Sequence, residues 1–389
     1  MDNRKELEKR IIVTGGGSGG HISTASAIIN AINKKYLLNN RNFLYVGGDL
    51  GMEDEKPGMS LEKKIFASEE FNQEYIRAGK LQRKISLKAI YLLLRVFLAF
   101  FDSFKIIRKF KPDIVISTGG FVTLPVCIVA KLYRADVYLH EQVAAIILSN
   151  RIVSKIAKKI FVTFTVSSKY FPKDRTIHTG NLVRPEIFNK SGKGEIVQPL
   201  KTMIEKQEEF PIVYISGGSL GSHIINTTIQ DALPFILESF QIVLQTGDNK
   251  KYQDYDLLKK EKKKLPVELK DRLIITKYVD KDEIGFLFNN IDMFVGRAGA
   301  NTVYEMGVLK IPSIFIPIPW VPHNEQYENA KILQDLGLAD IIREGELTPE
   351  CLILRMKNFY KKEKAFDGEK VARAFPTDAI HTIMDSIGI

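Results

Sequence analysis

Ile11-Ile12-Val13-Thr14-Gly15-Gly16-Gly17-Ser18-Gly19-Gly20-His21 decides how the rest of the chain is read. The β-branched run is a buried strand, the glycines form a loop, and His21 opens an apolar-periodic helix. Glycine lets a backbone turn sharply and come close to a ligand. A helix N-terminus adds unpaired N–H groups and partial positive charge, which suit a phosphate. A pure phosphate cradle has no use for an imidazole, so His21 points to proton transfer beside an anion site.

Outward from that loop, β-branched runs alternate with helical patterns, the mark of a parallel α/β sheet. Strands are expected at Arg10–Val13, Asn42–Val46, Asp113–Ser117, Asp136–Leu139, Lys159–Phe164 and Thr176–His178. The pattern restarts at Ile212–Ser216, followed by the glycine turn Gly217-Gly218-Ser219-Leu220-Gly221-Ser222. Further strands are expected at Gln241–Leu244, Leu273–Thr276, Ile291–Val295, Ser313–Ile316 and Ala339–Ile342. The echo predicts two similar α/β halves. The expected division is 1–188, a linker or variable segment 189–209, a second domain 210–364, and a helical segment 365–389 packing back towards the first domain.

Other loops fall at the C-terminal edges of these sheets, where open α/β folds bind ligands. In the first half they are Ser117-Thr118-Gly119-Gly120-Phe121 and His140-Glu141-Gln142; the latter taken alone reads equally as a loop brace. In the second half, Gly296-Arg297-Ala298-Gly299-Ala300-Asn301-Thr302 meets a helix N-terminus, a diphosphate site in outline. Glu305, a turn further on, suits sugar hydroxyls, although its plain reading is an exposed helix glutamate. The proline-rich loop Pro317–Pro322 leads into His323-Asn324-Glu325-Gln326 at the same edge.

The chain has 389 residues, enough for two cores, with a formal charge of +10. That balance calls for an anionic partner: phosphate ligands, an acidic lipid surface or nucleic acid. Cys127 and Cys351 are the only cysteines, which argues against a disulfide framework and for a reducing cytoplasm. The charged stretch Met1–Arg10 has no signal-peptide pattern. The stretch around Met52–Lys64 reads as a polar surface loop. Ile85–Phe101 is the most apolar run, short of the usual ~20 residues of a span. Lys88, Arg95 and Asp102, seven apart, make one polar stripe on it, so it reads as a core helix with one wet edge. A sharper reading adds a membrane-facing surface, since nine basic residues and one acid lie between Lys80 and Pro112. A nucleic-acid partner does not explain that concentration beside an apolar helix, so none is expected.

Taken together, Gly16–His21, Gly119–Phe121, His140–Gln142, Gly180–Arg184, Gly217–Gly221 and Arg297–Glu305 resemble the MurG family (glycosyltransferase family 28) over nearly the whole chain. These are the peripheral-membrane N-acetylglucosaminyltransferases of bacterial peptidoglycan synthesis. The resemblance implies a GT-B fold, two Rossmann-like domains facing across a cleft. It implies inverting transfer of GlcNAc from UDP-GlcNAc to lipid I (undecaprenyl-diphospho-MurNAc-pentapeptide), giving lipid II at the cytoplasmic face of the cell membrane. The partners are then those two substrates and an anionic inner-leaflet surface, with no cofactor and no required metal.

Carried over by residue, His21 is the general base and Glu141 the second catalytic group. Donor contacts fall to Ser18, Gly19, Gly20, Arg184, Ser219, Asn226, Val279 (through its backbone, to uracil), Arg297, Ala300, Asn301, Thr302, Val303, Tyr304, Glu305 and Gln326. Acceptor contacts fall to Gly16, Gly17, Gly119, Gly120 and His140. In the family an asparagine directly follows His-Glu-Gln, and here that position is Val143; Leu220, Ala298 and Glu325 also depart from its pattern. Two other functions are compatible with the residues: a GT-B transferase acting on another lipid such as diacylglycerol, and a UDP-sugar-binding scaffold with reduced chemistry.

Overall fold

Each half of the chain builds a fully parallel sheet, and the two sheets share one spatial strand order. The computed structural model describes residues 4–50, 60–79, 87–206, 210–361 and 366–389, with the backbone alone for 87–93 and 322. The seven-stranded sheet runs Gln73–Ile76, Phe43–Gly48, Ile11–Thr14, Ile114–Ser117, Asp136–Glu141, Lys159–Val162, Thr176–His178. The six-stranded sheet runs Leu273–Thr276, Gln241–Gln245, Ile212–Ser216, Met293–Gly296, Ser313–Phe315, Ala339–Ile341. In both, the first strand sits between the second and the fourth, which makes a topological switch point beside it. The glycine loops after Thr14 and Ser117 meet at one switch point, and those after Ser216 and Gly296 at the other.

Two compact units result, Met1–Leu182 with Pro376–Ile389, and Val183–Phe375. The first opens its leading helix, Gly19–Lys35, with Ser18 as N-cap, and buries Ile22, Ala25, Ile28, Ile29 and Ile32 at helical spacing. The closing helix Ala379–Ile387 puts Ile383, Met384 and Ile387 into the same core as Ile11, Val13 and Phe161. Each such side chain, fully buried, is worth about 1.5–3 kcal/mol, which keeps the chain end on this unit. The stretch 189–209, expected as a linker or variable segment, carries the helix Val197–Glu205, whose Val197, Leu200 and Met203 are buried in the second unit. Gln73–Ile76 is a sheet strand that the sequence did not announce, because its polar residues hide the β pattern.

Of the expected polar loop Met52–Lys64, residues 52–59 lie outside the described residues. The rest contains a short helix, Leu61–Ile65, whose Glu62 is fully buried under the first glycine loop. There Glu62 Oε1 accepts the Gly48 N–H at 3.2 Å.

The long helix Leu87–Phe110 corrects the expectation of a core helix with a wet polar edge. Its polar stripe faces inward. Arg95 is buried against Asp49 and the Ala78 carbonyl, and Asp102 accepts the Arg77 guanidinium at 2.8 and 2.6 Å and its backbone N–H at 3.1 Å. Its apolar stripe faces out: Leu94, Phe97 and Phe101 are 59%, 68% and 53% exposed. Lys88 contributes no described side chain. Among the described residues no helix is long and apolar enough to cross a membrane.

Candidate active site

In the first unit the glycine loop and the turn after Ser117 are stitched together. Gly16 N–H donates to the Gly119 carbonyl at 3.4 Å, and Thr118 Oγ1 donates to the His21 carbonyl at 2.9 Å. Gly119 and Gly120 both sit at φ +97, a region that side chains disfavour. Gly119 is needed for space as well: a Cβ there would lie 2.8 Å from His21 Cε1 and 2.9 Å from its Nδ1. Gly17 turns beside Phe121, Gly20 faces Gln142, and Gly19 opens to free space. Ser18 is the N-cap, its hydroxyl accepting the His21 N–H at 3.4 Å.

Burial holds the His21 imidazole down to a pKa of about 4, against a smaller opposite pull from the Thr118 backbone, so the ring is neutral at physiological pH. Its Nδ1 is buried with no hydrogen-bond partner among the described residues. His140 behaves alike, at about 4, through burial, opposed by the Gly180 backbone, while protonation of the neighbouring His21 would push it the same way as burial. Neither His140 nitrogen has a hydrogen-bond partner among the described residues. Glu141 does not touch His21 in a hydrogen bond. Its Oε1 accepts the Val143 N–H at 3.3 Å and its Oε2 accepts Asn150 Nδ2 at 3.0 Å. Ser167 Oγ donates to the Val143 carbonyl at 2.8 Å, so the loop that lacks the family asparagine is held by its backbone.

The second unit brings most of the remaining expected residues to its own switch point. Arg184 clasps Glu305 with two bonds, at 2.6 and 2.9 Å, and Glu305 is buried rather than exposed. A carboxylate has about four acceptor sites, so the pair leaves Glu305 capacity for sugar hydroxyls. The helix Ala300–Leu309 begins at Gly299 without a side-chain cap, which leaves its first N–H groups for an anion. Ala300, Asn301 and Thr302 are partly exposed there, whereas Val303 and Tyr304 are core side chains, Tyr304 against Phe375. Those two therefore offer a ligand no side-chain contact.

Arg297 departs further from its expected part as a diphosphate ligand. It is buried, and its guanidinium binds the Ile316 carbonyl at 2.9 Å, Ser222 Oγ at 2.8 Å and Glu344 at 2.5 Å. It ties the two glycine turns together. Val279 N–H, expected to read uracil, donates instead to Gln245 Oε1 at 3.0 Å. Gln326 Oε1 accepts the Ile318 N–H at 3.1 Å and braces the proline-rich loop. Asn226 is buried, its Nδ2 bound to the Thr246 carbonyl and to Asp254, which also holds His223 Nδ1 at 2.8 Å. Ser219 stands exposed at the turn's tip.

Several of these partners were not anticipated: Asn150, Ser167, Ser222, Gln245, Asp254 and Glu344. Ser222 closes the second-unit glycine turn; none of the others sits in a glycine motif, and each comes from another helix, strand end or loop. No group of three or more His, Cys, Asp or Glu side chains among the described residues is placed to hold a metal ion.

Residues 11–162 match the Glycosyltransferase family 28 N-terminal domain, and residues 212–383 match the Glycosyltransferase family 28 C-terminal domain. The chain belongs to glycosyltransferase family 28. It is 33% identical over 384 residues, 97% of this chain and 99% of the other, to UDP-N-acetylglucosamine--N-acetylmuramyl-(pentapeptide) pyrophosphoryl-undecaprenol N-acetylglucosamine transferase 3 of Bacillus thuringiensis strain Al Hakam. An enzyme of the same name from Clostridium novyi is 31% identical over 358 residues, 92% of each chain. Among solved structures, Acinetobacter baumannii MurG aligns with a TM-score of 0.72 at 21% identity, covering 98% of this chain and 99% of that one. The two-domain α/β architecture is thus the GT-B fold of that family.

Proposed function

We propose that this chain is the inverting hexosyltransferase that moves GlcNAc from UDP-GlcNAc to the MurNAc hydroxyl of lipid I, forming lipid II. The observation that carries the mechanism is a neutral, part-buried imidazole at the first glycine loop, His21, with its Nδ1 shielded from solvent. A base must be unprotonated before it acts, and here burial meets that condition at any pH well above 4. In the reaction His21 takes the acceptor hydroxyl proton as that oxygen bonds to the anomeric carbon. The bond from that carbon to the UDP oxygen breaks on the opposite face, which inverts the centre. The uncapped helix start at Ala300 stabilises the charge that builds on the leaving diphosphate. Glu305, fixed by Arg184, takes the donor's sugar hydroxyls.

The lipid substrate fits the surface of the first unit. The exposed stripe Leu94, Phe97, Leu98, Phe101 and Phe104, extended by Leu132 and Tyr133, forms a lipid-facing patch beside Lys105, Arg108 and Lys109. It holds the enzyme on an anionic cytoplasmic leaflet without a span.

Transfer of labelled GlcNAc to a lipid I analogue, wild type beside His21→Ala, tests the proposal. The variant is expected to lose roughly 10²–10⁴-fold in kcat, the usual contribution of a positioned base, while still binding UDP. Turnover on diacylglycerol alone would assign another lipid glycosyltransferase, and UDP binding with no turnover on any acceptor would assign a scaffold. For the membrane patch, Phe97→Ser with Phe101→Ser is expected to release the protein from anionic vesicles in a sedimentation assay. Unchanged sedimentation would remove that surface from the proposal.

A further inference from the structure

A base needs its ring held in one tautomer, and His21 shows no side chain doing so. To accept a proton at Nε2, neutral His21 must carry its own proton on Nδ1, and that proton needs an acceptor. The obvious carboxylate, Glu141, is engaged elsewhere, on the Val143 N–H and on Asn150. Asn150 is fully buried, and its amide is fixed in sense: Nδ2 faces the Glu141 carboxylate, an acceptor, so Oδ1 is its free end. That Oδ1 is buried with no partner among the described residues, as is His21 Nδ1. The two side chains border one space. His21 Nδ1 and Asn150 Nδ2 lie 2.9 and 3.2 Å from the point that a Gly119 Cβ would occupy. The His21 ring and the Asn150 amide thus border one gap that only glycine leaves open, and each carries a buried polar atom without a partner among the described residues.

We propose that Asn150 is the positioning residue of the His21 base, its Oδ1 accepting the Nδ1–H while its Nδ2 stays anchored on Glu141. The chain Glu141–Asn150–His21 then does with a neutral amide what a carboxylate does in other base-orienting pairs. It explains why Glu141 is buried beside the site without touching the base. It also keeps negative charge away from the imidazole, which a ring kept neutral by burial requires. The rival orienting group is the Thr118 backbone, which also approaches His21.

The inference rests on His21 being the base, so the test is a double-mutant cycle on GlcNAc transfer to a lipid I analogue. Asn150→Ala is expected to lower kcat about 10- to 100-fold, the size usual for removing a group that orients another, with KM for UDP-GlcNAc unchanged. In a His21→Ala background it is expected to cost nothing more, because a residue acting through His21 has nothing left to orient. A further loss in that background, or wild-type kcat in Asn150→Ala, overturns the proposal, the second result assigning orientation to Thr118. If His21→Ala itself turns over normally, the base assignment falls and this proposal with it. Should Asn150→Ala not fold, the nearly isosteric Asn150→Asp serves. Its carboxylate beside the ring moves the acidic limb of kcat/KM upward by about one pH unit or more, and an unmoved limb overturns the proposal.

Discussion

The two units place glycine turns at equivalent switch points and then treat the polar side chains there in opposite ways. In the second unit the charged groups are tied to one another: Arg184 to Glu305, Arg297 to Ser222 and Glu344, Asp254 to His223 and Asn226. In the first unit the ring nitrogen of His21, both nitrogens of His140 and Asn150 Oδ1 are buried without partners among the described residues. Asn226 Oδ1 and Glu344 Oε2 are the comparable atoms in the second, and the latter still faces Arg297 as an ion pair. An unmade bond to a buried polar atom costs about 1–3 kcal/mol, so the first site is the less comfortable one. The difference matches the two chemical tasks. Holding a diphosphate sugar calls for a rigid frame of fixed charge, whereas moving a proton calls for a neutral base with bonds still to make.

The severest way to break this contrast is at Gly119. Gly119→Ala forces a methyl to within 2.9 Å of the His21 ring and places alanine at φ +97. Misplacing a reacting group by about 1 Å is enough to cost ~100-fold, so kcat is expected to fall by at least about that factor. UDP binding, measured by calorimetry, is expected to stay at the wild-type value, because the second unit's frame is untouched. Near-normal turnover would mean that the reacting centre is not built around His21.

Arg184→Ala probes the other side with a smaller effect. It strips a two-bond partner from buried Glu305. A hydrogen bond to a charged group is worth about 1.5–3 kcal/mol, discounted here because Arg184 is itself half exposed. KM for UDP-GlcNAc is expected to rise about tenfold, equivalent to about 1.4 kcal/mol, with kcat on a saturating donor little changed. If kcat falls and KM does not, the Arg184–Glu305 pair belongs to the chemical step, and the division between frame and base is wrong.

How far these sites were legible in the sequence follows the same division. Glycine loops and strands stand out because backbone geometry restricts residue type locally, so the switch-point loops were found where they are. What a side chain finally binds is set by residues brought in from elsewhere. Arg297 looked like a diphosphate ligand and is instead a tie between two turns, because Ser222, Ile316 and Glu344 surround it. Glu305 looked exposed until Arg184 was placed on it. The helix Leu87–Phe110 shows the limit most clearly. Its seven-residue polar stripe was visible, but a stripe does not state which side is solvent; Asp49 and Arg77, from distant strand ends, draw it inward.

Acidification gives the mildest test, and its sign follows from burial. In the unfolded chain a histidine titrates near 6.5, whereas His21 and His140 in the fold stay neutral down to about 4. His178, half buried in the same unit, is lowered in the same direction by desolvation, against the Thr163 backbone. Between those values the unfolded state binds protons that the native state refuses, so stability falls as pH drops from about 6.5 to about 4 and is level above that window. The slope is on the order of 1 kcal/mol per pH unit for each ring lowered to about 4. Because the shifted rings named here lie in the first unit, hydrogen exchange corrected for intrinsic rates is expected to quicken first in Ile11–Thr14, Ile114–Ser117 and Asp136–Glu141. Turnover should hardly change down to about pH 5, since His21 is still unprotonated there. Exchange that quickened first in Ile212–Ser216 and Met293–Gly296 would place the acid-sensitive groups in the charged frame instead, and would remove the energetic asymmetry between the two sites.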